Sequence, residues 1–160
     1  MFRHLFKKQR LEIFAPIEGK VLPLKDVPDP VFNQNMMGEG IAIIPREGNV
    51  FAPIEGTVIL VAETEHAIGI RAKDGTELFI HIGLETVSLK GQGFTSFVKV
   101  GEEVSIGQLL VEVDWTYVQE HAESIITPIV ITNSQIKNVQ IEKAEQSHVG
   151  KTLLMTVTAK

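Results

Sequence analysis

The chain has 160 residues, 44% of them apolar, and a formal net charge of −5, which suits a single domain with its own hydrophobic core. It contains no cysteine, which excludes disulfides, thiol nucleophiles and thiolate metal sites. No basic stripe interleaved with aromatics points to nucleic acid, and no window approaches the roughly 20 apolar residues of a membrane span.

Residues 1–12 read as an N-terminal segment set apart from one domain over 13–160. The segment is either disordered or a short amphipathic helix. In the second case Phe2, Leu5 and Phe6, beside Arg3, Lys7, Lys8 and Arg10, would make weak membrane contact. Met1–Lys8 lacks the apolar core and cleavage site of a secretory signal.

From Phe14 the chain is dominated by short apolar runs punctuated by Gly, Pro and Asp, the pattern of strands in a sandwich or barrel. The octet Phe14-Ala15-Pro16-Ile17-Glu18-Gly19-Lys20-Val21 recurs at an offset of 37 as Phe51-Ala52-Pro53-Ile54-Glu55-Gly56-Thr57-Val58, with seven of eight positions identical. This is an internal duplication of a strand-turn-strand unit, and two copies are too few for a solenoid. Next comes a hairpin. His66-Ala67-Ile68-Gly69-Ile70-Arg71 and Glu77–Leu84 flank Asp74-Gly75, a strong short-range hairpin signal. Gly91-Gln92-Gly93 reads as a turn, because no helix start with Lys-Ser/Thr follows it. Val98–Leu110 repeats the strand-turn-strand pattern and is similar to the hammerhead-type turn of biotinyl and lipoyl domains, without their modified lysine. Trp115–Ser124 reads as a short helix, and Val149–Val157 as a closing strand. The fold class is therefore all-β: an antiparallel β-sandwich or barrel-like hybrid with an internal strand-turn-strand duplication and one or two short helices.

The chemistry concentrates on the hairpin. A two-residue Asp74-Gly75 loop would set Ile68 opposite His81 and Gly83 opposite His66. Positions 66, 68 and 70 would then share a face with 79, 81 and 83. His66 and His81 become diagonal neighbours with open space at Gly83, in an apolar patch of Ile68, Ile70 and Phe79. Such a pair serves as two zinc ligands awaiting a third, as an acid and base, or as a nucleophile and its partner. Desolvation keeps an imidazole neutral and nucleophilic, and the Thr64 hydroxyl, two residues before His66, is placed to set that ring's tautomer. His4, His121 and His148 lie outside these strands and read as incidental.

Leu78-Phe79-Ile80-His81-Ile82-Gly83-Leu84-Glu85-Thr86-Val87, continuing into Leu89–Phe94, resembles the active-site signature of glucose-family enzyme IIA of the bacterial phosphoenolpyruvate-dependent sugar phosphotransferase system. Glu63–Ala67 is similar to that family's second histidine segment. Ala15–Gly19, Asp26–Phe32, Met37–Ile43 and Thr127–Asn133 resemble further segments of it, in order, so the resemblance spans about Phe14 to Val157.

The resemblance implies that His81 is phosphorylated by the histidine-containing phosphocarrier protein and passes the group to the IIB domain of a sugar permease. It implies that His66 hydrogen-bonds the phosphoryl oxygens, that Thr64 orients His66, and that backbone amides around Gly83 assist. Asp29 and Glu85 fall at flanking acidic positions, where Glu85 replaces the more usual Asp or Asn. Val31, Phe32, Met36, Met37, Ile68 and Phe79 are the expected docking residues, at least partly exposed beside the histidines. No cofactor or metal is implied beyond the covalent phosphohistidine, although a partner could complete a zinc site on His66 and His81. The implied location is the cytoplasm, with peripheral membrane contact through the N-terminal segment. The rival reading is a regulator that binds other transporters or enzymes according to its phosphorylation state.

Overall fold

The structure is a computed structural model and describes residues 9–160. The amphipathic reading of Phe2, Leu5 and Phe6, and the membrane contact drawn from it, fall outside the described residues. The first strand, β1 (Leu11–Phe14), begins inside the expected N-terminal segment. There follow β2 (Glu18–Pro23), β3 (Glu39–Glu47), β4 (Val50–Phe51), β5 (Gly56–Val61), β6 (Ala67–Arg71) and β7 (Glu77–His81). The second half holds β8 (Phe94–Ser96), β9 (Glu103–Val104), β10 (Leu109–Val113), β11 (Thr127–Ile131), β12 (Lys137–Ile141), β13 (Gln146–Ser147) and β14 (Leu153–Ala159). Among the described residues the two α-helices are short, Pro30–Asn33 and Trp115–His121, the second three residues shorter than Trp115–Ser124.

All strand pairs are antiparallel. Eight strands form one sheet in the order β13-β2-β3-β11-β7-β6-β5-β9, and two three-stranded sheets, β1-β14-β12 and β4-β10-β8, complete the sandwich. The large sheet does not close into a barrel. Its order reads alike from both ends about the β11–β7 pair, and the octet duplication is the cause. Phe14 N–H donates to Pro53 O (3.1 Å) while Phe51 N–H donates to Pro16 O (2.9 Å), so the two copies bind each other reciprocally. Each copy is also clasped by its own later turn. Ala15 N–H donates to Thr152 O and Gly150 N–H to Ala15 O; Ala52 N–H donates to Gln108 O and Gly107 N–H to Ala52 O. The Val98–Leu110 element thus has a counterpart near 145–154, which residue identity alone does not reveal.

Strand β7 alternates cleanly. Leu78 and Ile80 are buried in the main core, between the sheets, with Ile13, Ile41, Ile70 and Met155. Phe79 and His81 face the other way, where residues 24–37 cover the sheet. There Leu24, Val27, Phe32, Ala42, Leu84 and Val130 form a second, smaller core against which Phe79 and Met37 pack. The site lies at the edge of this second core.

The hairpin register differs from the expected one. Ala67, not Ile68, pairs with His81, and Ile68 pairs with Ile80. The loop has three residues. Gly75 N–H donates to Ala72 O, Ala72 N–H donates to Thr76 O, and the Asp74 carboxylate accepts from Thr76 N–H at 2.9 Å. Gly75 then sits at φ +90°. This is a type I turn closed by a left-handed glycine, not a two-residue turn. The one-residue slip turns Ile68 and Ile70 into the main core, both fully buried. Ile68 is therefore no docking residue.

Candidate functional site

His81 ends β7, and its Nδ1 lies 2.7 Å from the carbonyl oxygen of Gly83. A carbonyl only accepts, so Nδ1 carries the hydrogen and Nε2 keeps its lone pair. The carbonyl reaches this position because Gly83 takes φ +77°. The expectation of open space at Gly83 opposite His66 is overturned. It is Ile82 whose N–H donates to His66 O, and a Cβ on Gly83 would stand 2.6 Å from Thr86 Cγ2 and 2.9 Å from Ser124 O. The glycine is thus held in a crowded frame: its N–H donates to Thr127 Oγ1 (3.3 Å), Thr86 Oγ1 donates to Ile82 O (2.7 Å), and Leu84 N–H donates to Ser124 O (2.9 Å).

His66 precedes β6, in the loop rather than on the pleat. Its ring lies 5.0 Å from that of His81, centroid to centroid, edge to face at 77°. The pair therefore meets as expected, by a different route: the wrong register placed His66 in the strand, whereas Glu65 at φ +61° turns the chain just before it. Thr64 Oγ1 stands 2.6 Å from His66 Nδ1. Of the expected apolar patch Phe79 is in place, whereas Ile68 and Ile70 are replaced by Phe32 and Phe94. Phe32 (5.5 Å) and Phe79 (6.0 Å) pack on the His81 ring, and Phe94 (6.5 Å) on that of His66.

His66 is 7% exposed. Burial, helped by the neighbouring His81, pushes its pKa down to about 4. Burial also lowers that of His81, opposed by the Gly83 carbonyl and by the charges of Asp29 and Glu85. Both rings are thus neutral near pH 7. Among the described residues no group of three or more His, Asp or Glu side chains is disposed to hold a metal ion.

His81 opens into a depression of about 250 Å³ lined by Asp29, Val31, Phe32, Met37, Phe79, Glu85, Thr86 and Val87. Asp29 caps the helix Pro30–Asn33, its carboxylate accepting from Val31 N–H at 3.0 Å. Glu85 is exposed at φ +58°. Val31 and Met36 are exposed, and Met37 and Phe79 are half-buried. Phe32 is not a surface residue: it is only 4% exposed, because its ring fills the second core beneath His81. Val87, 55% exposed on the rim, escaped sequence reasoning. Phe94 closes the signature and Ser124 lies 30 residues beyond it, and neither carries a local sign of its part in the site.

The pattern of the family described as phosphoenolpyruvate-dependent sugar phosphotransferase system, EIIA 1, matches residues 11–137. The chain belongs to this family. Among curated relatives, the PTS system glucose-specific EIIA component of Halalkalibacterium halodurans is 46% identical, with 98% of each chain covered. The PTS system glucoside-specific EIICBA component of Staphylococcus carnosus is 48% identical over 89% of this chain and 21% of its own length. Among solved structures, glucose permease IIA from Mycoplasma capricolum superposes with a TM-score of 0.87 at 39% identity, covering 92% of this chain and 96% of that one. An EIIA domain of this family is a component of the phosphotransferase system. Among the described residues no helix is long and apolar enough to cross a membrane.

Proposed function

We propose that this EIIA domain carries a phosphoryl group on Nε2 of His81, taking it from the histidine-containing phosphocarrier protein and giving it to the IIB domain of a sugar permease on the cytoplasmic side of the membrane. The observation that carries this reading is the His81 Nδ1–Gly83 O hydrogen bond at 2.7 Å. It fixes one tautomer and leaves Nε2 as a neutral nucleophile beside a solvent-open depression. In the first transfer the Nε2–P bond forms as the donor's N–P bond breaks, in line, and the hydrogen on Nδ1 stays in place. Such transfers rest on positioning and on stabilising charge. His66, buried and neutral, accepts from the Thr64 hydroxyl at Nδ1 and offers Nε2–H to a phosphoryl oxygen. Val31, Met36, Met37, Phe79 and Val87 provide the apolar contact for both partners, with Asp29 and Glu85 as charged rim. Fusion of such a domain to permease domains, as in the EIICBA relative, supports a IIB acceptor.

The test is reconstitution with phosphoenolpyruvate, enzyme I and the phosphocarrier. One acid-labile phosphate is expected per chain, none on His81→Ala. Stoichiometric labelling of that variant refutes the assignment. His66→Gln keeps a donor but loses the imidazole. It is expected to accept phosphate and to pass it to a IIB domain poorly; wild-type onward transfer makes His66 merely structural.

A further inference from the structure

We propose that Glu65 is the positioning residue for His66: its carboxylate clasps strand β8 and thereby sets the place of one imidazole against the other. The phosphoryl-transfer part of this inference rests on the function proposed above.

Four non-glycine residues among those described have positive φ, and Glu65 at +61° lies between the two side chains, Thr64 and His66, that bond each other. A residue with a Cβ holds this conformation only at a cost that something else must offset. Glu65 N–H donates to Ala62 O (2.7 Å) and Ala62 N–H donates to Ala67 O (2.9 Å), so the left-handed residue ends the β5–β6 turn. Continuing the alternation of Ile70 and Ile68 back to His66 would aim its side chain into the main core with Ile82. The left-handed step instead brings the ring round to His81. The offsetting contact is across the fold: Glu65 Oε1 accepts from Ser96 N–H at 2.9 Å. Ser96 is itself rigidly held. It pairs with Val111 of β10, and its hydroxyl donates to Val98 O at 2.9 Å. Two residues earlier, Phe94 packs on the His66 ring. Strand β8 therefore holds both the backbone before His66 and the ring itself. His81 belongs to the large sheet and β8 to a small one, so the geometry of the imidazole pair depends on this clasp between sheets.

Three variants separate clasp from strain. Glu65→Gln keeps an acceptor oxygen. Glu65→Ala loses the clasp and keeps the strain. Glu65→Gly loses the clasp and relieves the strain. Nitrogen-15 NMR of the imidazoles reads the His66 tautomer, and transfer assays read acceptance by His81 and passage to a IIB domain. For Glu65→Gln, His66 signals and transfer rates are expected within about twofold of wild type. For Glu65→Ala and Glu65→Gly, the His66 signals are expected to move toward a tautomer mixture and onward transfer to fall about tenfold or more, as for a displaced positioning group. His81 should still be labelled to completion. Glu65→Gly should melt no lower than Glu65→Ala, so loss of transfer in it is not loss of fold. Unchanged His66 signals in Glu65→Ala and Glu65→Gly overturn the inference, as does a Glu65→Gln protein that behaves like Glu65→Ala. His66→Gln is run alongside. If it transfers at the wild-type rate, the role of His66 fails, while the NMR result still decides whether Glu65 positions the ring.

Discussion

Replacing Gly83 by alanine separates two costs that this position combines. The first is conformational: an L-residue at φ +77° costs about 1–2 kcal/mol. The second is steric. The new Cβ would meet Thr86 Cγ2 at 2.6 Å and Ser124 O at 2.9 Å. Neither neighbour can yield freely. Thr86 is fully buried and its hydroxyl is committed to Ile82 O, while Ser124 O accepts from Leu84 N–H. Breaking one such buried hydrogen bond adds about 1–2 kcal/mol. The expected loss is therefore about 2–4 kcal/mol, which for a domain of this size lowers Tm by roughly 5–15 °C. Gly75→Ala is the control, since Gly75 is also at positive φ, +90°, but a Cβ there meets nothing within 4 Å. It should show the conformational cost alone. Calorimetry of the two variants gives the comparison. Backbone relaxation at Gly83 should also draw its carbonyl away from His81 Nδ1, so a second His81 tautomer and slower phosphate uptake are expected in Gly83→Ala only. Equal losses of Tm in the two variants would refute the reasoning.

Acid should destabilise the fold through His66. Its pKa falls from 6.5 to about 4 on folding, so the unfolded chain binds the proton first. The stability tied to the neutral ring is complete above pH 6.5 and is lost as pH falls toward about 4, by about 3 kcal/mol in all. The stability difference between wild type and His66→Gln, from denaturant unfolding at about pH 7.5 and about pH 4.5, should shrink accordingly; a constant difference contradicts it. In the second core beneath His81, Phe32→Ala should cost about 3–5 kcal/mol as a core deletion. At the docking face, Met36→Asp, at a residue 68% exposed, should change stability by less than about 0.5 kcal/mol yet slow transfer with both partners. Unaltered transfer rates in Met36→Asp would exclude this face as the docking surface.

Much of the site was legible locally. The alternation Leu78-Phe79-Ile80-His81, the spacing of Thr64 from His66, and the signature running to Phe94 are properties of contiguous residues. So is the octet repeat, whose symmetry now organises the large sheet. Other features depended on choices that a short segment leaves open. Asp74-Gly75 suits both a two- and a three-residue loop, and only the pairing of β7 with β11 and β6 with β5 selects the register that buries Ile68. Val31 and Phe32 are adjacent apolar residues, and the helix capped by Asp29 exposes one and buries the other. The composition and local pattern determined an all-β chain with two neighbouring histidines. Tertiary packing alone decided how the imidazoles meet, because the atoms that orient them, Gly83 O held by Thr86 and Ser124, and Ser96 N–H across the sandwich, are brought together by strand pairing over long stretches of sequence.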